Sequence, residues 1–193
     1  MSFRSAVFKY RGLLLGVFFV LALFTLPASF SLPRMFLAVL LLFAGQALRF
    51  WAAGVISEYR TLVIGAPVLV KHGPYAWIRN PLYAGNALIG CGWALMAGWT
   101  WVLCFMVIFF AMYSLLIIPD EEKFLAERFG EEYESFRRET PSMFPGLRRI
   151  SEHMRASRGA FDAAKSWSME WKSLWANALM TLLVLERLFL IKG

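Results

Sequence analysis

Apolar residues run almost unbroken through about residues 12–32, 35–56, 82–98, 99–118 and 174–191, and charged residues gather between these runs. Each run is close to the roughly 20 residues that a helix needs to cross a bilayer. The pattern predicts an all-α polytopic bundle of about five transmembrane helices. The first run follows Arg4, Lys9 and Arg11, as the core of a secretion signal would. It continues past the usual signal length, and "PASFSLPR" leads straight into the second run, so it is read as a retained helix.

The polar segments divide the rest. Residues 57–81 form a link rich in Gly and Pro, too polar to cross a membrane. Residues 119–146 open with Pro119, which the first turn of a helix tolerates, and then carry Phe124, Leu125 and Phe129 at helical spacing. An amphipathic helix continuing from the fourth span is expected there. In 147–173, Ile150, Met154, Phe161, Ala164, Trp171 and Trp175 recur at intervals of three, four and seven, with arginines and lysines between them. This predicts a basic interfacial helix with Trp167, Trp171 and Trp175 at headgroup depth; a solvated linker is the alternative. The chain thus divides into a membrane core, 1–146, and an interfacial helix plus last span, 147–193.

Composition agrees with a membrane protein: 59% of the 193 residues are hydrophobic, against about half in soluble domains. If five spans alternate, Arg4, Lys9, Arg11, Arg60, Lys71, Arg79 and the stretch from Lys123 to Lys172 share one side. The other side receives little beyond Arg34 and Lys192. The positive-inside rule therefore puts the N-terminus and the 71–93 region in the cytoplasm. The net charge of +7 reads as orientation and attraction to anionic lipid, not as a nucleic-acid footprint. Cys91 and Cys104 fall inside expected spans, which argues against a disulfide framework or a metal site.

The candidate chemistry lies in "KHGPYAWIRNPLYAGNALIGCGW", residues 71–93. Gly73-Pro74 and Asn80-Pro81 each force a bend, because proline fixes its own dihedral and pushes the preceding residue out of the helical region. A helix starting near Pro81 would present unpartnered N–H groups to a polar or anionic ligand. Gly90 and Gly92 remove side chains from one wall, for a flat ligand or for a neighbouring helix. Glu121 and Glu122 would return to the same membrane level, as ligands or as solvated acids.

These residues resemble a known family. "LVKHGPYAWIRNPLYAG" is similar to the signature of the integral-membrane methyltransferases that include isoprenylcysteine carboxyl methyltransferase and phosphatidylethanolamine N-methyltransferase. Leu69, Val70, Gly73, Tyr75, Arg79, Pro81, Tyr83 and Gly85 match at the family's spacing. "EEKFLAERFGEEYESFRRETPSMFP" resembles the second family motif, and the likeness covers about residues 45–146. It implies an S-adenosylmethionine-dependent enzyme with a cytoplasmic cofactor-binding face and a lipophilic acceptor taken from the membrane. Carried over by position, Leu69, Val70, Tyr75, Asn80, Pro81, Leu82, Tyr83, Gly90, Gly92, Glu121 and Glu122 would bind the cofactor. Either acid could pair with a cationic cofactor where water is partly excluded. Arg79 is the leading catalytic or substrate-positioning residue, able to grip a carboxylate or phosphate.

The chain departs from the family pattern at Pro67 and Asn80, where histidines are expected, and at Ile117, where the prenylcysteine branch has a substrate-binding arginine. His72 is the nearest titratable candidate for a base. Arg49 and Glu186 are charges inside expected spans, accounted for by snorkelling and local pairing. Two other readings stand beside the methyltransferase: a sterol-reductase-like enzyme using NADPH, and a non-catalytic membrane scaffold or lipid-binding protein that kept the cradle's shape.

Overall fold

The computed structural model describes residues 3–25, 31–56, 68–145 and 161–192. Among the described residues all regular structure is helical. Helix α1 spans Phe3–Phe24, α2 Leu32–Val55, a 3-10 turn Gly73–Ala76, and α3 Pro81–Ala97. Then come α4 (Trp99–Met112), a π turn (Tyr113–Ile117), α5 (Ile118–Phe129), α6 (Glu131–Glu139) and α7 (Ala163–Lys192). Two helices are long and apolar enough to cross a membrane, Leu32–Val55 and the continuous Trp99–Phe129, and Tyr10–Phe24 is a shorter apolar helix.

Three boundaries differ from expectation. The first apolar run does not stay helical to residue 32: α1 stops at Phe24, where the Thr25 amide and hydroxyl both donate to the Ala22 carbonyl, at 3.1 and 2.9 Å. Leu32 opens α2 instead, with Pro33 in the first turn, where a missing N–H breaks no helical bond. Pro119 stands in the first turn of α5, which continues the helix from Trp99 as expected, but the join is not a plain α-helix. Its ring crowds the carbonyl four residues back, and the backbone widens into the π turn, with the Ile118 N–H reaching the Tyr113 carbonyl. The helix expected over 119–146 is cut by Gly130, whose φ of 54° favours glycine, and α6 ends at Glu139.

The tail differs as well. Residues 146–160, most of the expected interfacial segment, lie outside the described residues. From Ala163 one uninterrupted helix runs to Lys192, with Asp162 capping it by accepting the Lys165 N–H at 3.1 Å. Trp167, Trp171 and Trp175 are exposed, one turn apart, while Ser166 and Glu170 are buried.

The chain forms two compact units. One comprises Met1–Gly45, Ala87–Pro119 and Lys172–Gly193; the other comprises Gln46–Asn86 and Asp120–Trp171. In the first, Ala38, Trp93, Leu95, Met96 and Val184 form the core. Beside it, Phe18 meets Trp101 edge-on at 5.2 Å, and Phe105, Phe109 and Tyr113 continue along the 99–129 helix, the last two stacked at 4.3 Å. Large apolar side chains on its helices also point outward, among them Leu13, Leu21, Phe36, Phe43, Leu103 and Phe110. Such a surface suits lipid, since in water apolar patches of this kind mark contact sites.

In the second unit, Ala52, Val55, Ile56 and Tyr75 pack with Trp51, Val70 and Leu82. Gly73 has φ +62°, and a Cβ there would lie 3.0 Å from a Val55 methyl carbon. Only glycine meets both conditions cheaply. At Gly54 a Cβ would collide with the Phe161 ring and the Ser166 hydroxyl. The absence of a side chain lets the start of α7 sit on α2, where Asp162 N–H donates to the Gly54 carbonyl at 3.0 Å and Ser166 Oγ to the Phe50 carbonyl at 2.9 Å.

Candidate active site

The two polar motifs, about forty residues apart in sequence, meet in the second unit. The 72–80 segment is shaped first by its prolines: Pro74 opens the 3-10 turn, and the Tyr75 N–H donates to the His72 carbonyl at 3.2 Å. This turn buries the Tyr75 ring against Val55, with Val70 and Leu82 beside it. Leu69 is half-buried next to Val70. His72 is half-buried in the turn.

The Arg79-Asn80 dipeptide then locks onto the chain beyond α6. Arg79 N–H donates to the Pro141 carbonyl at 2.9 Å and Asn80 N–H to the Ser142 carbonyl at 3.0 Å. The Asn80 side-chain amide adds a bond to Ser142 Oγ at 3.1 Å. The Asn80 carbonyl accepts from the Tyr83 and Ala84 amides, so the residue also begins α3, with Pro81 at its first position. Asparagine at the family's histidine position thus spends its amide on the 140–145 segment.

Arg79 is committed within the protein. Its Nη2 lies 2.7 Å and its Nε 3.1 Å from Glu122 Oε1, and its Nη1 donates to the carbonyls of Arg137, at 2.9 Å, and Thr140. The last carbonyls of a helix lack helical partners, and a cation placed there both bonds them and complements the helix dipole. The guanidinium therefore caps α6 and pairs with Glu122 at once. Arg137 approaches the other Glu122 oxygen at 3.6 Å. Tyr133, 1% exposed, lies among these charges; its pKa is pushed up to about 12, first by burial and then by the negative charge of Glu122, against the pull of Arg79 and Arg137.

Glu121 faces a different partner. The buried Tyr83, in the first turn of α3, donates its hydroxyl to Glu121 Oε1 at 2.6 Å. The paired acids therefore have separate surroundings: Glu122 is compensated by two arginines, while Glu121 meets a phenol. Together they join the α3 N-terminus, α5 and α6 around one polar centre.

Gly90 and Gly92 lie in the other unit. A Cβ on Gly90 would run into the Phe105 ring, and one on Gly92 would lie 2.9 Å from both the Ala38 carbonyl oxygen and Leu42 Cγ. In this structure both are close-approach positions between helices. Pro67 lies outside the described residues.

Sequence reasoning missed a second polar cluster. Arg49 does not snorkel: its Nη2 and Nε reach the two Glu170 oxygens at 2.7 and 2.9 Å, and its Nη1 donates to Asn86 Oδ1. Gln46 Nε2 joins Glu170 at 3.2 Å. The available signal was Ser166 and Glu170 at a four-residue spacing on α7, on a different face from the tryptophans. Among the described residues, no group of three or more His, Cys, Asp or Glu side chains could hold a metal ion.

Comparison with known proteins places this geometry. The chain is 34% identical over 99 residues to the cobalt-zinc-cadmium resistance protein CzcN of Cupriavidus metallidurans, covering 51% of this chain and 43% of that protein. It is 33% identical over 79 residues to protein-S-isoprenylcysteine O-methyltransferase of Schizosaccharomyces pombe, covering 40% and 33%. It is 28% identical over 107 residues to the steroid 5-alpha-reductase DET2 of Solanum lycopersicum, covering 54% and 38%. The chain therefore spans less than half the length of these relatives. No solved structure matches it. Residues 33–132, just over half of the chain, match the phospholipid methyltransferase family, and they hold the α3 N-terminus and the paired acids. The chain belongs to the phospholipid methyltransferase family.

Proposed function

We propose that the protein is an integral-membrane methyltransferase with five spans, which uses S-adenosylmethionine at a cytoplasmic face and methylates a lipophilic acceptor, a phospholipid amine or an isoprenoid-like carboxylate or thiol. The observation that carries this reading is the Tyr83–Glu121 bond at 2.6 Å beside the Arg79–Glu122 pair, which joins the family's two motifs in one place. The donor set fits such a cofactor. A carboxylate accepts several hydrogen bonds at once, so Glu121 can receive the Tyr83 hydroxyl together with a cationic group. Glu122, already compensated by Arg79 and Arg137, is the less suitable counter-charge. Leu69, Val70, Tyr75 and Leu82 supply apolar wall, and Asn80 and Pro81 set the start of α3.

When bound, the cofactor supplies an activated methyl group for in-line displacement. The chain's part is to orient the two reactants and exclude water, the main sources of acceleration for such a transfer. Arg79 enters as a positioning residue, because its guanidinium fixes α6 and Glu122 relative to the α3 N-terminus. The reductase reading draws on one relative's name, DET2, but has the lower identity.

The test is methyl transfer from isotopically labelled S-adenosylmethionine into a total membrane-lipid extract, followed by mass spectrometry. The intact protein should label a lipid, and Glu121→Ala should reduce labelling at least about tenfold, the loss expected when one charge-assisted bond disappears. Cofactor binding without transfer would call for another acceptor. Failure to bind the cofactor, with binding of a nicotinamide cofactor instead, would favour the reductase.

A further inference from the structure

Glu170 stands in the last described helix, beyond the 33–132 segment that matches the family, yet it is 2% exposed and holds a half-buried arginine of that segment. The chain of contacts continues inward. Glu170 takes two of the Arg49 donor groups, a third goes to Asn86 Oδ1, and Asn86 stands three residues along α3 from Tyr83, whose hydroxyl binds Glu121. Residues three apart on a helix share a face. Gln46 braces the same carboxylate. All these groups belong to one compact unit.

Ordering an ion pair around the buried Glu170 carboxylate costs desolvation that mutual attraction seldom returns in full, so stability alone is a weak account of it. We propose that Glu170 is a positioning residue of the methyl-transfer site: through Arg49 and Asn86 it sets the orientation of α3 and hence of the Tyr83 hydroxyl on Glu121. This rests on the methyltransferase reading above. α7 is then part of the site's frame and not only an anchor.

The full chain in lipid nanodiscs provides the test, with Glu170→Gln, the double variant Arg49→Met/Glu170→Met, and exposed Lys123→Ala as control. S-adenosylmethionine affinity is read by calorimetry, hydrogen exchange of α3 amides by mass spectrometry without cofactor, and stability by thermal unfolding. Glu170→Gln leaves Arg49 without its counter-charge and should lower both stability and affinity. The double variant removes both charges together and should recover stability, as apolar replacement of buried pairs does. Its affinity should stay about tenfold weaker, the worth of one hydrogen bond to a charged group, because Asn86 has lost its donor. Its α3 amides should exchange faster than those of the parent.

A double variant that binds cofactor like the parent and keeps parental α3 exchange would overturn the proposal and leave Glu170 a purely structural residue. A parent that binds no cofactor would overturn the functional reading by itself. The exchange measurement then still decides whether Glu170 governs α3: faster exchange supports the link and unchanged exchange refutes it.

Discussion

At the scale of single residues, adjacent acids have been given different tasks. Glu122 is held by Arg79 at 2.7 Å and approached by Arg137, while Glu121 receives a phenol. Tyr133 registers the field of Glu122 and its arginines. Its pKa of about 12 lies above the ordinary 10, because burial and the charge of Glu122 both oppose a phenolate. The native protein thus holds this proton more tightly than the unfolded chain does. The associated stabilisation is fully present below pH 10 and is lost as pH rises through about 12. Tyr133→Phe should remove that part of the alkaline loss and leave stability at pH 7 little changed in sign. Ultraviolet phenolate titration alongside denaturant unfolding between pH 9 and 12 would check it. An unchanged alkaline slope in the variant would mean that other groups carry the effect.

At the scale of elements, two helices owe their course to residues that a hydrophobicity pattern does not weigh. α3 passes α2 so closely that a Cβ on Gly92 would lie 2.9 Å from the Ala38 carbonyl oxygen, and the opposing group is backbone that cannot rotate away. Gly92→Val should therefore destabilise the protein by about 1–3 kcal/mol, the usual cost of overpacking, which a shift in thermal midpoint in detergent would report. A Gly12→Val change, where no neighbour lies within 4 Å, is the contrasting case. The two helices long enough to cross a membrane, Leu32–Val55 and Trp99–Phe129, were legible as apolar runs of about 20 residues, and the start of α3 was legible because Pro81 permits few alternatives. The π turn before Pro119 was not legible, since it depends on a continuous helix on both sides. The polar face of α7 was legible, but its pairing with Arg49 was not, because 121 residues separate Arg49 from Glu170 and nothing local in the sequence links them. Likewise, the capping of α6 by Arg79 needs the fold, since the acceptors are backbone carbonyls that every residue possesses.

At the scale of the whole molecule, the question is which solvent meets the outward side chains. Leu103, Val107 and Phe110 are exposed on α4, and Cys104 is exposed among them. Farther along the same continuous helix, Lys123 is 76% exposed in a segment rich in charge. If the 99–129 helix passes from hydrocarbon into the cytosol, these two exposed positions have opposite environments. A water-soluble maleimide needs a hydrated thiol, so Cys104 should stay unlabelled in intact vesicles and react once detergent replaces the bilayer. A Lys123→Cys variant lacking the native cysteines should label in inside-out vesicles and resist in right-side-out ones if the orientation expected from the Lys and Arg distribution holds. Labelling of Cys104 in intact membranes would deny that this helix face meets lipid. Labelling of the 123 position only from the outer side would invert the orientation and move the proposed cofactor site away from the cytosolic supply of S-adenosylmethionine.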